Sequence, residues 1–153
     1  MALTDLVASN AVIAALKAAN KKQALEELAA RAAVLCGENE HEIFEILQQR
    51  EKLGSTGVGN GVAIPHGKLP KLTKLFGLFA RLDKPIDFES LDGQPVDLVF
   101  LLLAPEGAGA DHLKALARVA RLLRDPDIAA KLREATTVEA LYAALAASPA
   151  SVN

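Results

Sequence analysis

Residues 60–69 read Asn-Gly-Val-Ala-Ile-Pro-His-Gly-Lys-Leu and set a titratable ring, His66, between Pro65 and Gly67. Proline fixes its own φ and keeps the residue before it extended, so the run Val62-Ala63-Ile64 is predicted to end as a strand and present the imidazole there. Gly67 removes a Cβ beside the ring and lets another backbone come close. A neutral imidazole is a nucleophile that titrates near pH ~6.5, so it can accept a phosphoryl group and give it up again without a separate base. Phosphoryl transfer spreads charge over the equatorial oxygens of a loose transition state, so it asks for cations and N–H donors around the ring. Arg50 in the last turn of a predicted helix, the hydroxyl of Thr56, the charge of Lys68 and the N–H groups of a glycine-rich loop are the nearby candidates. His112 opens a later predicted helix beside Asp111, where the N–H groups of a first turn favour an anion.

Each of these residues also has a plainer reading. A histidine after a strand-ending proline reads equally as a turn residue, and Arg50 and Lys68 as ordinary surface charges. His112 shares a helical face with Leu116, Val119 and Leu123, the setting of a half-buried structural histidine. His41, between Glu40 and Glu42, reads as solvated, and Cys36 as a small buried hydrophobe. Two glycine motifs fail: Gly61 and Gly67 enclose five residues where a phosphate loop needs four, and Lys68 is followed by Leu69 instead of Ser or Thr. In the dinucleotide fingerprint Val62 stands where the third glycine belongs, and the loop precedes a strand. The histidines and Cys36 are too isolated for a zinc site, so no metal is expected. A Ser55–His66–Asp hydrolase lacks a G-x-S-x-G elbow and stays a weak rival.

The elements that must carry these residues follow from periodicity. Leu25, Leu28, Ala32 and Leu35 form the stripe of an amphipathic helix over residues 22–35, with Gly37 as its stop. Ile43, Ile46, Leu47 and Leu53 repeat the pattern over residues 40–53, which closes on Gly54. Residues 54–61 hold four glycines in eight, a loop that no helix or strand interior would choose. Residues 75–82 and 96–104 are continuous apolar strands of the kind covered on both faces, joined by a polar connection. A helix is predicted over residues 111–124, a second begins at the cap Asp125 with Pro126 in its first turn, and Thr136 with Glu139 forms a capping box opening a last helix through Ala147. Together these predict a single-domain α/β sandwich over residues 1–153, a central mixed β-sheet flanked by helices, ordered over about residues 5–147, with a frayed tail.

Composition excludes several classes. The chain has 153 residues, enough for one domain with its own core, and 51% apolar and 24% charged residues, the balance of a globular protein. The net charge is −2 with Lys and Arg scattered, so no nucleic-acid footprint is expected. The one cysteine allows no internal disulfide, the N-terminal region has no secretory pattern, and no run approaches the ~20 residues that span a bilayer. A cytoplasmic location without membrane insertion is the expectation.

Residues 50–68, Arg-Glu-Lys-Leu-Gly-Ser-Thr-Gly-Val-Gly-Asn-Gly-Val-Ala-Ile-Pro-His-Gly-Lys, closely resemble the phosphorylation-site segment of enzyme IIA domains of the mannitol/fructose class of the bacterial phosphotransferase system (PTS), most of all its nitrogen-regulatory branch. The core of the match is Glu51, Val58-Gly59 and Val62 through Gly67, and the order of helices, strands and a distal histidine extends it over nearly the whole chain. The resemblance implies that His66 accepts a phosphoryl group through Nε2, that Arg50, Thr56 and His112 line the site, and that Gly67, Lys68 and Asn60 support the phosphate. It implies no cofactor. The donor would be a small HPr-like carrier charged by an enzyme I from phosphoenolpyruvate, which makes the chain a phosphocarrier and not a turnover enzyme. The readers would be potassium transport or sensor proteins and nitrogen or carbon regulators. Two alternatives stay open: a fructose- or mannitol-specific IIA component passing phosphate to a IIB domain, and a non-catalytic regulatory binding module. The sugar version is usually joined to a IIB phosphocysteine domain and a IIC membrane domain; Cys36 stands at a helix end without a phosphate loop, which favours the regulatory branch. Residues 69–72 with Phe76 are the candidate apolar docking surface.

Overall fold

The computed structural model describes residues 3–146. In chain order it runs β1 (Val12–Leu16), α1 (Lys21–Cys36), α2 (Glu40–Lys52), β2 (Gly57–Gly59), β3 (Val62–Ala63), β4 (His66–Leu69), β5 (Phe76–Ile86), β6 (Val96–Pro105), α3 (Ala110–Leu123), α4 (Pro126–Glu134) and α5 (Val138–Ala146). The strands form one six-stranded mixed sheet in the order β1-β5-β6-β3-β2, with β4 also paired to β6. The α/β sandwich expected from the sequence is the fold observed.

β5 and β6 are its antiparallel centre, in register from Phe76↔Leu103 to Arg81↔Leu98, with a shift before Ile86↔Val96. Leu98 through Ala104 are all buried, as a strand covered on both faces requires. α1 packs on α2 and β5, α2 on β4, α3 and α4 on β6, and α5 on α4 and β1. Phe79, Phe88 and Phe100 are the largest side chains of the core between these layers.

Several boundaries differ from those predicted. The apolar run at residues 11–16 is β1, parallel to β5, a strand too short and uniform for alternation to mark. The glycine-rich stretch contains β2, antiparallel to β3, so it is a hairpin and not only a loop. Gly57 is needed there because a Cβ would stand 2.2 Å from Ser90 Oγ. α1 and α2 begin one turn position after asparagine caps, Asn20 accepting from Gln23 N–H and Asn39 from Glu42 N–H, each at 2.9 Å. Asp125 caps α4 with Pro126 in the first turn, as its sequence predicts. For α5 the capping oxygen belongs to Thr137, which accepts from Ala140 N–H at 3.0 Å, and not to Thr136. Ala147 and the tail after it lie outside the described residues.

The break at Pro65 is real, but the strand resumes at once. β3 pairs parallel to β6 up to Ala63↔Val99, Pro65 O accepts from Leu102 N–H at 3.0 Å, and β4 continues along the same edge from His66↔Leu102. His66 is therefore the first residue of a strand held by the central β6, and its backbone is fixed on the side away from its ring.

Candidate functional site

α2, β4 and α3 meet around a concavity of about 530 Å³ lined by Arg50, His66, Lys68 and His112 among others. Arg50 lies in the last turn of α2, where a cation answers the negative helix end. Its Nη1 donates to Gly54 O at 2.9 Å, which orients the guanidinium, and its Nε points at His66 Nε2, 3.3 Å away.

The His66 ring is held at both nitrogens. Nδ1 stands 2.9 Å from Ile64 O, and a carbonyl can only accept, so the hydrogen sits on Nδ1. Nε2 is left with its lone pair directed into the concavity and toward a guanidinium N–H. Of the two ring nitrogens, Nε2 is thus the one free of a backbone partner. Burial pushes the His66 pKa below its usual value, the Ile64 carbonyl acts against this, Arg50 pushes it down further and Glu51 pulls it up. The ring is thus neutral and reactive at physiological pH.

His112 arrives on α3 from across the chain. Its ring lies edge-on to His66, with centroids 5.7 Å apart and planes at 73°. Only 5% of the residue is exposed. Its Nε2 is buried and has no hydrogen-bond partner among the described residues. Burial lowers its pKa, and His66 and Lys68 lower it further, so it too is neutral. Lys68, on β4, is exposed at the edge of the concavity.

Other sequence candidates are placed differently. Thr56 is buried and does not line the concavity; its hydroxyl donates to Glu51 Oε2 and its N–H to Glu51 Oε1 at 3.0 Å, so it braces the loop behind the site. Asn60 is not brought to the site. It sits at the β2–β3 turn, where its N–H donates to Asp92 Oδ2 and its carbonyl accepts from Arg133 Nη2 at 2.7 Å. The adjoining Gly61 carbonyl bonds Leu98 N–H while His66 registers with Leu102, an offset of roughly 13 Å at the ordinary strand rise. Two of the glycine N–H groups expected to face a phosphate are engaged internally, that of Gly54 by Glu51 O at 3.1 Å and that of Gly57 by Ser55 Oγ at 3.0 Å. Gly67 does allow a close approach, but by the Ile46 side chain of α2: a Cβ there would lie 2.3 Å from Ile46 Cγ2.

The exposed apolar rim is also not the expected one. Leu69 is buried in the core and Leu72 and Phe76 pack against it, whereas Leu53 and Leu113, at 84% and 68% exposure, flank the concavity. Periodicity predicts both in the apolar stripes of their helices, Leu53 over residues 40–53 and Leu113 over residues 111–124, and the structure corrects this: each stands at a helix end, beyond the stretch that packs on the core. Glu51 was visible only as a motif residue; its carboxylate is what the two Thr56 donors and Lys21 Nζ converge on.

Among the described residues no group of three or more His, Cys, Asp or Glu is placed to hold a metal, and no helix is long and apolar enough to cross a membrane. Comparison with known proteins converges on one family. Residues 5–148 match the family described as phosphoenolpyruvate-dependent sugar phosphotransferase system, EIIA 2. The chain is 72% identical over 151 residues, 99% of each chain, to a nitrogen regulatory protein of Bradyrhizobium diazoefficiens. Its fold is similar to the crystal structure of nitrogen regulatory protein IIA-Ntr from Neisseria meningitidis, with TM-score 0.88 and 34% identity over 94% of this chain and 98% of that one. It is also similar to IIA mannitol from Escherichia coli, with TM-score 0.75 and 25% identity over 91% and 97% of the two chains.

Proposed function

The chain belongs to the PTS EIIA 2 family, and from that premise we propose that it is a phosphocarrier which accepts a phosphoryl group on His66 Nε2 from a small HPr-like donor. The observation that carries this reading is the contact at the ring: Nδ1 lies 2.9 Å from the Ile64 carbonyl, which takes its hydrogen and leaves the Nε2 lone pair on the side of the open concavity. The donor's bond to phosphorus breaks as the Nε2–P bond forms. The proton stays on Nδ1, donated to the Ile64 carbonyl, whose dipole answers the positive charge the ring acquires. No separate base is needed, since the ring enters neutral.

Arg50 Nε and His112 Nε2 are the groups that meet the incoming oxygens. Arg50 supplies charge without bond making. His112, taking a proton, turns its orphaned nitrogen into a donor, and the arriving anion reverses the influences that hold its pKa down. Lys68 adds a cation from the rim, and Thr56 acts indirectly by fixing the loop.

The output is read as regulatory because the relative matched over the whole chain carries the name nitrogen regulatory protein. The phosphorylated and free forms would then differ by roughly two negative charges at one rim, enough to alter partner docking. The test is incubation with enzyme I, an HPr-like carrier and phosphoenolpyruvate. An acid-labile gain of about 80 Da is expected on the wild type and none on His66→Ala. Labelling of the alanine variant would rule the assignment out.

A further inference from the structure

Behind the site, Glu51 carries a carboxylate whose side chain is only 6% exposed and which lies against Lys21 Nζ at 2.9 Å. Lys21 is the first residue of α1, its side chain 15% exposed. It is held from two further directions, by Glu89 Oε1 at 3.2 Å and by the face of the fully buried Phe88 at 4.9 Å. Neither Lys21 nor Glu51 lines the His66 concavity; they border a separate cleft between α1, α2 and residues 87–89. A continuous chain of bonds nevertheless joins them to the ring. Glu51 accepts both Thr56 donors, Thr56 O accepts Ile64 N–H at 3.0 Å, and Ile64 O accepts His66 Nδ1–H at 2.9 Å.

We propose that Lys21 is a positioning residue for phosphoryl acceptance: it neutralises Glu51, which clamps Thr56, whose carbonyl holds the N–H of Ile64, the residue whose own carbonyl fixes the His66 tautomer. The proposal rests on His66 being the acceptor. Its physical basis is the cost of a buried carboxylate without a counter-charge, which would rotate toward water and release one or both Thr56 donors. That rotation frees Ile64 to shift, and the ring loses its fixed Nδ1–H bond. A field effect has the same origin. The charged groups facing His66 are Arg50 and Glu51 from α2, Lys68 from β4 and, when protonated, His112 from α3. Removing the Lys21 cation leaves Glu51 less compensated, so His66 should titrate higher.

The experiment compares the full chain as wild type, Lys21→Met and Lys21→Arg. Phosphorylation by enzyme I, an HPr-like carrier and phosphoenolpyruvate is timed, and in separate samples without donor the ¹⁵N shifts of His66 are followed through a pH titration. Lys21→Met is expected to slow acceptance about tenfold, to raise the His66 titration midpoint and to weaken the Nδ1–H signature, and Lys21→Arg to restore all three. A Lys21→Met protein with wild-type rate and unchanged His66 spectra overturns the proposal. So does a pair of variants that lose melting temperature and rate alike with the His66 tautomer intact, since that is a purely structural role. If Lys21→Met does not fold, Glu51→Gln serves instead: a lower His66 midpoint and mixed tautomers support the proposal, and an unchanged ring overturns it. Should the wild type itself take no phosphoryl group, the phosphocarrier reading falls, and the donor-free titration decides the role of Lys21 by itself.

Discussion

At the scale of single residues, burial keeps two imidazoles neutral on one concavity, where the proposed function would bring an anion. Both His66 and His112 are driven below the ordinary imidazole range chiefly by burial. A group whose folded pKa is depressed binds its proton sooner in the unfolded chain, so it stabilises the fold fully above about pH 6.5 and less as pH falls toward the folded values. Urea midpoints should therefore drop on acidification below that point, and His112→Asn should flatten the drop; an unchanged slope would show that His112 does not titrate in this way. Phosphorylation should reverse the sign at His112, raising its midpoint in a histidine NMR titration. Arg50→Ala should leave the melting temperature nearly unchanged and slow transfer by more than tenfold, since a donor aimed at developing charge supplies about 2–4 kcal/mol. Equal single-turnover rates would remove Arg50 from the site.

Elements place these residues through two close packings. α2 can press against β4 only because position 67 has no side chain, with Ile46 occupying the space. Gly67→Ala should cost about 1–3 kcal/mol in denaturant unfolding and slow transfer by pushing the strand that begins with His66. Ile46→Ala in the same chain should recover part of both, and no recovery would mean that the strain lies elsewhere. At the other end of the hairpin, Arg133 at the end of α4 grips Asp97 at 2.8 and 3.0 Å and the Asn60 carbonyl, tying α4, the start of β6 and the β2–β3 turn together. A partly exposed fork of this kind stabilises by about 1 kcal/mol. Arg133→Ala should thus lower stability by about that amount and leave phosphoryl transfer at the wild-type rate, which would confirm that this end of the sheet lies outside the site.

Over the whole molecule, the His66 ring sits at a sheet edge between α2 and α3, whose ends carry the exposed leucines Leu53 and Leu113. If His66 is the acceptor proposed above, large exposed apolar side chains beside it fit the surface that a carrier protein would cover during transfer. Leu113→Glu should raise the KM for the phosphorylated donor while changing kcat less than twofold, and steady-state kinetics with an HPr-like donor would read the split.

What could be read from the amino-acid order is whatever depends on near neighbours. Periodicity marked α1, α2 and α3, Asp125-Pro126 marked the start of α4, and Pro65-His66-Gly67 marked a strand break with a histidine beside it, because caps, φ restrictions and side-chain periods act within one turn or one strand. The glycine-rich segment was enough to recognise the family. The choice of Nε2 was legible only through that resemblance, though the contact that sets it spans two residues. Everything that needed distant segments to meet was decided by the tertiary structure. Sheet register moved Asn60 away and left Thr56 behind the site. The crossing of α3 brought His112 within ring contact, and the first turn of α1 delivered Lys21 to a buried carboxylate. These meetings follow from how strands align on β6 and how helices pack over them, and no local pattern encodes either.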